Sequence, residues 1–259
     1  MSGHSKWAGI KHKKAVVDAK RGQAFTKAAR EITIAAKEGG GDVTANFRLR
    51  LAMQKAREAN MPADKIQAAI DRGTGAAKGD ALEELRYEGF GPAGVAIIVD
   101  AVTDNRNRTA PQIRHLFSKY GGNLGEANSV GWMFERKGIL SVALAGRDAE
   151  EVELAAIEAG AEDIQEDLQG EQEQQGPRLL ITTPPESFEA VRRALEAAGL
   201  EIENAELTLQ PQQTVPVDED RAPAVLRLIE YLEEDDDVQQ VYANFDIPDE
   251  VLERVSESV

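Results

Sequence analysis

The hydrophobic period of this 259-residue chain changes near residue 80, and that change limits the folds open to it. Up to Gly73 apolar residues recur at helical spacing. Beyond Glu83 they come in short runs and alternations separated by Gly, Pro and polar turns. Phe25, Ala28, Ala29, Ile32, Ala35 and Ala36 share one helical face, and Gly39–Gly41 end that helix. Leu49, Ala52, Met53, Ala56 and Ala59 define a second helix. Pro62 and Gly73 bracket a third, shorter one. Residues 23–73 therefore predict a three-helix unit followed by the linker "GTGAAKGD", whereas residues 1–22 lack a helical period and read as an extended or partly ordered arm.

Past the linker, "YEGFGPAGVAIIVDAVT" predicts two strands around a Gly-Pro turn, the second a buried run at Val95–Val102. "TAPQIRHLFSKYGG" predicts a helix, with Thr109 and Gln112 at capping-box spacing and Gly121 just past its end. "SVGWMFERKGILSVAL" predicts two strands joined by a turn at Arg136–Gly138. The next stretch reads βαββαβ, with strands at 139–144, 162–168, 178–183 and 201–209 and helices at 148–158 and 186–198; "QGEQEQQGP" is a polar turn inside it. Helix 219–233 and strand 238–245 supply the αβ end that residues 83–135 lack. The predicted fold is α+β: a three-helix unit followed by two ferredoxin-like α/β units, one inserted into the other. The expected divisions are a basic arm at 1–22, a three-helix domain at 23–79, a discontinuous α/β domain at 80–135 plus 211–259, and an inserted α/β domain at 136–210.

Charge is divided as sharply as the period. The formal net charge is −16, yet Lys6, Lys11, Lys13, Lys14, Lys20, Arg21, Lys27 and Arg30 face only Asp18 in the first thirty residues, a net of +7. Residues 1–80 carry 16 Lys/Arg against 8 Asp/Glu, a net of +8, and the rest carries −24. Such asymmetry predicts a basic interaction surface attached to a body that repels polyanions. Each cation near a phosphate releases condensed counterions, and Trp7 can stack on an exposed base. His12 can add charge or stack beside it. The alternative is a solubilising tail whose Trp7 tucks against the helices.

Two further segments invite chemistry. In "TDNRNRT", Arg106 and Arg108 stand just before the helix predicted from Thr109, where free backbone N–H groups favour anions. They either grip a phosphate or pair with acidic neighbours, and the residues alone leave both open. "EEDDD" at Glu233–Asp237 has consecutive carboxylates, not the spacing of an oxygen-ligand site, and reads as the solvated end of a helix. The chain has no cysteine and only His4, His12 and His115, and it holds no HExxH, GxSxG, Walker-type or GxGxxG pattern. The expectation is no catalytic residue, no cofactor and no metal. With no apolar run of spanning length and no signal peptide, a cytoplasmic protein without a membrane partner is expected.

"GHSKWAGIKHKKAVVDAKRGQAFTKAAREI", "ANFRLRLAMQKAREANMPADKIQAAIDRG" and "YEGFGPAGVAIIVDAVTDNRNRT…GGNLGEANSVGWMFERKG" closely resemble the YebC family, which includes the mitochondrial translational activator of cytochrome c oxidase. The resemblance runs at motif level through about the first 140 residues and as architecture to the end. Phe90 stands where the family often has Tyr, and Ala93 and Asn128 where Gly is common; Asn tolerates left-handed backbone angles, whereas Ala93 would resist one. The resemblance implies a non-enzymatic protein of one helical and two α/β domains. Members are labelled DNA-binding transcriptional regulators, or resemble translation factors that relieve stalling on proline-rich sequences through contacts of the N-terminal domain with rRNA or tRNA.

No helix-turn-helix spacing stands out in residues 23–73, and a basic arm with one exposed aromatic suits single-stranded or irregular RNA better than major-groove readout. The expected function is a nucleic-acid-binding regulator: an RNA-bound, ribosome-associated translation factor first, a DNA-binding transcriptional regulator second. The expected site is Lys6, Trp7, Lys11, His12, Lys13, Lys14, Lys20, Arg21, Lys27 and Arg30, with Arg106 and Arg108 as further phosphate contacts. Ribosomal proteins are expected as further partners, and a monomer as the oligomeric state. A competing expectation is a protein-interaction adaptor whose acidic α/β units bind a basic partner while the arm docks back on them.

Overall fold

The change of period is a change of architecture in the computed structural model, which describes residues 17–78, 81–167 and 177–256. Helices α1 (Val17–Gly39), α2 (Phe47–Glu58) and α3 (Ala63–Gly73) bury Ile32, Ala35, Ala36, Leu49, Ala52, Ala56, Ile66 and Ala69 between them. Alanines on all three faces let the helix axes approach closely. A Cβ on Gly73 would lie 2.3 Å from the Thr33 carbonyl oxygen, so only glycine permits this packing of α3 on α1. Asn46 joins the first two helices. Its side-chain oxygen accepts from Leu49 N at 3.0 Å, and its amide donates to the carbonyls of Ala35 (2.7 Å) and Gly40 (2.8 Å).

Helix α1 begins at Val17, which corrects the reading of residues 17–22 as extended. Ala19, Lys20 and Arg21 are strong helix formers, so intrinsic propensity supports a helical turn where no apolar stripe announces one. The rest of the predicted arm and the "QGEQEQQGP" turn, apart from its final Pro177, lie outside the described residues.

Strands β1 (Glu83–Phe90), β2 (Ala96–Thr103), β3 (Asn123–Leu124) and β9 (Val238–Ala243) form an antiparallel sheet in the order β3-β1-β2-β9. Helices α4 (Arg106–Lys119) and α7 (Ala222–Glu233) cover one face, packing Ile113, Phe117, Val225 and Ile229 on Val95, Ile97 and Val99. This is the ferredoxin-like arrangement, with β1 preceding β2 in the chain where the usual plan places that strand later. The short pair β8 (Val215–Pro216) and β10 (Phe245–Asp246) and the helix α8 (Asp249–Ser256) complete the unit. On the N-terminal side Arg48 of α2 bridges Glu31 and Glu38 of α1, at 2.8 and 2.7 Å, to Glu84 of β1.

The second unit spans Phe134–Gln210, inserted between the two chain segments of the first. Its elements are β4 (Phe134–Ala143), α5 (Ala149–Glu158), β5 (Asp163–Asp167), β6 (Arg178–Thr183), α6 (Phe188–Ala197) and β7 (Glu201–Pro211). Their strand order β5-β6-β4-β7 is the ferredoxin-like one. The predicted turn at Arg136–Gly138 is absent, because β4 runs straight through it. Gly138 is there for space: a Cβ would meet Phe188 Cδ2 at 2.1 Å and Thr183 Oγ1 at 2.5 Å. A glycine that follows a run of charged residues imitates a turn while serving a close approach.

The hairpin between β1 and β2 turns through Pro92–Gly94, where Ala93 takes φ 60° and ψ 11°. Its Cβ crowds the following carbonyl there, at a cost of roughly 1–2 kcal/mol partly offset by the greater unfolded-state entropy of glycine. Ala93→Gly should therefore stabilise the protein by about 1 kcal/mol, a gain in melting temperature of roughly 2–4 °C. An unchanged or lower melting point would refute the strain. Asn128, at φ 64°, belongs to a residue type that tolerates this region.

Candidate nucleic-acid interface

Of the predicted contact residues, Lys6, Trp7, Lys11, His12, Lys13 and Lys14 lie outside the described residues, and Lys20 and Arg21 fall on the first two turns of α1. The remaining two occupy a defined place. Gln23, Lys27 and Arg30 are spaced at i, i+4 and i+7 and so share one face of α1. That face meets the segment after α7: Gln23 Nε2 donates to the Glu234 carbonyl, Lys27 Nζ to that of Glu233, and Arg30 Nη1 to that of Asp236. The last carbonyls of a helix lack intrahelical donors and concentrate the negative end of its dipole. Here they receive cationic donors from a helix more than 200 residues away in sequence.

The "EEDDD" run is thus a solvated helix end only in part: Glu234 and Asp236 are exposed, but the end of the run is drawn inward, which corrects the sequence reading there. Asp237 is only 5% exposed. Its carboxylate receives Arg30 Nη1 at 2.8 Å, Arg108 Nη2 at 2.9 Å, Thr109 Oγ1 at 2.6 Å and Thr103 Oγ1 at 3.1 Å. Burial pushes its pKa up, but the hydrogen bonds from Thr109 and Arg108 and the charge of Arg30 prevail and hold it below the usual carboxylate value. Asp235 moves the opposite way. Burial raises it and the Asp237 charge adds to that, while the Asp237 backbone N–H at 2.9 Å and Lys27 oppose the shift.

"TDNRNRT" is organised around the same carboxylate. Helix α4 starts at Arg106, three residues before the predicted cap, and Asn105 caps it, accepting from the N–H groups of Asn107 (3.1 Å) and Arg108 (3.2 Å). Pro111 explains the discrepancy: it looks like a first-turn proline but sits one turn inside the helix. Arg108 bonds Asp104 at 2.8 Å as well as Asp237, the acid-paired alternative, whereas Arg106 is exposed on the first turn.

Two surface features escaped the sequence reading. Trp132 is 68% exposed, yet its loop is rigidly held: the buried Glu88 carboxylate accepts from Val130 N (2.9 Å) and Gly131 N (2.7 Å), and the indole N–H donates to the Ser129 carbonyl. With its N–H satisfied, the indole offers a partner only its π-face. Tyr120 and Tyr231 stack at 4.9 Å between centroids, with Lys119 Nζ over both rings. Aromatics near apolar core residues, as Trp132 and Tyr231 are, carry no periodic signal that would mark them as exposed.

Among the described residues no group of three or more His, Asp or Glu is arranged to hold a metal ion, and no helix is long and apolar enough to cross a membrane. Residues 5–76 match the family model described as "TACO1/YebC protein N-terminal domain", and residues 82–245 that described as "TACO1/YebC second and third domain". A "Probable transcriptional regulatory protein" of Natranaerobius thermophilus is 53% identical over 256 residues, covering 98% of this chain and 99% of the relative. One of Rubrobacter xylanophilus is 54% identical over 258 residues, covering 99% and 100%. The crystal structure of a conserved hypothetical protein from Aquifex aeolicus is similar at a TM-score of 0.79 and 47% identity, over 93% of this chain and 96% of that one.

Proposed function

The chain belongs to the TACO1/YebC family, and from that premise we propose that it is a non-enzymatic, nucleic-acid-binding regulator of gene expression acting in the cytoplasm as a monomer. The observation that carries the proposal is the net +7 of the first thirty residues in a chain of net −16. The division of labour follows from it. Lys6, Lys11, Lys13, Lys14, Lys20 and Arg21 clamp phosphates, Trp7 and His12 stack or wedge, and Arg106 adds a contact. Lys27 and Arg30, drawn onto the 233–237 segment, fix the direction in which α1 presents the arm. The two acidic α/β domains repel polyanions and so confine binding to the arm and helical domain, and they face basic ribosomal proteins.

Of the two nucleic acids RNA is the first choice, in a translation factor that relieves stalling on proline-rich sequences at the ribosome. A basic arm with a lone aromatic matches single-stranded recognition. The transcriptional reading is favoured by the names of the relatives. Crosslinking in cells, with RNA and DNA recovered from one immunoprecipitate and a Trp7→Ala/Lys13→Ala variant as control, separates them. Discrete rRNA or tRNA positions lost in the variant are the expected result. Discrete promoter DNA would install the transcriptional reading, and recovery of neither would leave the adaptor.

A further inference from the structure

We propose that a groove lined by α1, by residues 72–78 and by Ala81 and Leu82 is a second nucleic-acid contact, one that takes the phosphodiester backbone of a single strand. The proposal rests on the nucleic-acid-binding reading above and adds a site to it. Two adjoining hollows of about 290 and 450 Å³ lie along α1 and share Thr33, Arg72 and Leu82 in their walls. Each has the scale of a small-ligand pocket, roughly 300–1,000 Å³. Side by side along α1 and open to solvent, they offer places for successive nucleotides of one strand.

The lining has the two-sided chemistry of a nucleotide. Ala29, Ala77, Ala81 and Leu82 form an apolar floor that a sugar or base edge can cover. Arg72, Lys78 and Lys37 stand around it. Arg72 Nε donates to the Ala68 carbonyl at 3.2 Å, and among the described residues neither its terminal nitrogens nor the Lys78 ammonium has a carboxylate partner. Arg48, Arg86, Arg108 and Arg192 are paired with carboxylates, and the cations of this lining share that capacity without using it among the described residues. Cations left unneutralised around a hollow are the arrangement that an anionic ligand requires.

The groove is also preorganised. Lys37 Nζ donates to the Leu82 carbonyl at 2.9 Å and ties the chain at Leu82 to α1. The carbonyls that end α3, which would otherwise repel phosphate, are tied back: Ile70 accepts from Thr74 N at 2.9 Å, Asp71 from Ala77 N at 3.0 Å and Arg72 from Gly75 N at 3.2 Å. Asp104, the acidic side chain of the lining among the described residues, is neutralised by Arg108 at 2.8 Å. Hollows of this size admit the backbone of one strand, whereas a duplex is too wide to enter them.

The test is the salt dependence of binding of a fluorescent single-stranded RNA oligomer to the full chain and to Arg72→Gln/Lys78→Gln. A control, Arg57→Gln/Lys65→Gln, carries the same loss of charge on exposed residues outside the groove. Loss of two phosphate contacts should reduce the slope of log K against log salt by about 1.4, with a smaller change in the control and unchanged melting temperatures for both. Equal slopes for groove variant and control, with tight binding by the full chain, would overturn the groove and leave the arm standing. A full chain that fails to bind any nucleic acid would overturn both. An equal loss on a duplex of the same sequence would overturn the single-strand assignment.

Discussion

Removal of residues 1–16 is expected to lower the affinity for single-stranded RNA about a thousandfold at 0.1 M salt. The argument starts from which cations the fold has already used. Lys27 and Arg30 hold the carbonyls after α7 and the Asp237 carboxylate, so they count as anchors. The six basic residues before them, from Lys6 to Arg21, are assigned to phosphates. At about 0.7 counterions released per contact, these six together with Arg106 give a slope of log K against log salt of about −5, to which the groove would add about −1.4. Truncation removes Lys6, Lys11, Lys13 and Lys14 and should flatten the slope by about 3, which over a tenfold change in salt is three decades of affinity. Trp7→Ala alone should cost roughly 1–3 kcal/mol with the slope unchanged, because stacking releases no ions. A truncated chain with the parent slope would remove the arm from the interface. It would also favour the adaptor reading, in which the basic segment serves only to dock on the protein's own acidic units.

That adaptor reading has one foothold in the structure, and it shows where a sequence stops being legible. The helical period up to Gly73, the buried strand at Val95–Val102 and the βαββαβ order of the inserted unit are local signals, set by side chains a few residues apart. Each was readable. The pairing of Lys27 and Arg30 with residues 233–237 was not, because nothing local to either segment depends on the other. Five consecutive acids at a helix end look like a solvated terminus until a basic helix face is packed on them. The error over Thr109 has the same root. Its hydroxyl is drawn into the buried site by Asp237, 128 residues away, and Asn105 caps the helix instead. Gly138 shows the converse: a residue read as a turn because of its neighbours proves to be required by Phe188 across the unit's core. A run of opposite charge at the two ends of a chain is the one cue that could have suggested the docking, and it names no residue pair.

The largest stability effect is expected from Asp237→Ala. One carboxylate joins α1 through Arg30, the end of β2 through Thr103 and the start of α4 through Arg108 and Thr109. Its removal leaves the Arg30 guanidinium, with only 18% of its side chain exposed, without its counter-charge, and deprives two buried hydroxyls of their charged acceptor. Breaking a buried charge pair from one side costs about 3–5 kcal/mol, against about zero for a surface pair. Asp237→Asn keeps an oxygen for Thr109 and should cost less, which separates the charge from the hydrogen bond. The pH dependence carries the same signature. Asp237 has a folded-state pKa below its unfolded value of about 3.9. Its contribution is therefore present above that pH and is lost as pH falls through the lowered folded value. Asp235, raised by burial, works with the opposite sign: it favours the folded state in acid and loses that contribution as pH rises through its raised value. The difference in unfolding free energy between the parent and Asp237→Asn should thus be full at neutral pH and shrink below pH about 4. A difference independent of pH would show that the carboxylate acts there only as a hydrogen-bond acceptor. Because the same contact orients α1, Asp237→Asn should also weaken RNA binding without altering its salt slope, which distinguishes an anchor from a phosphate contact.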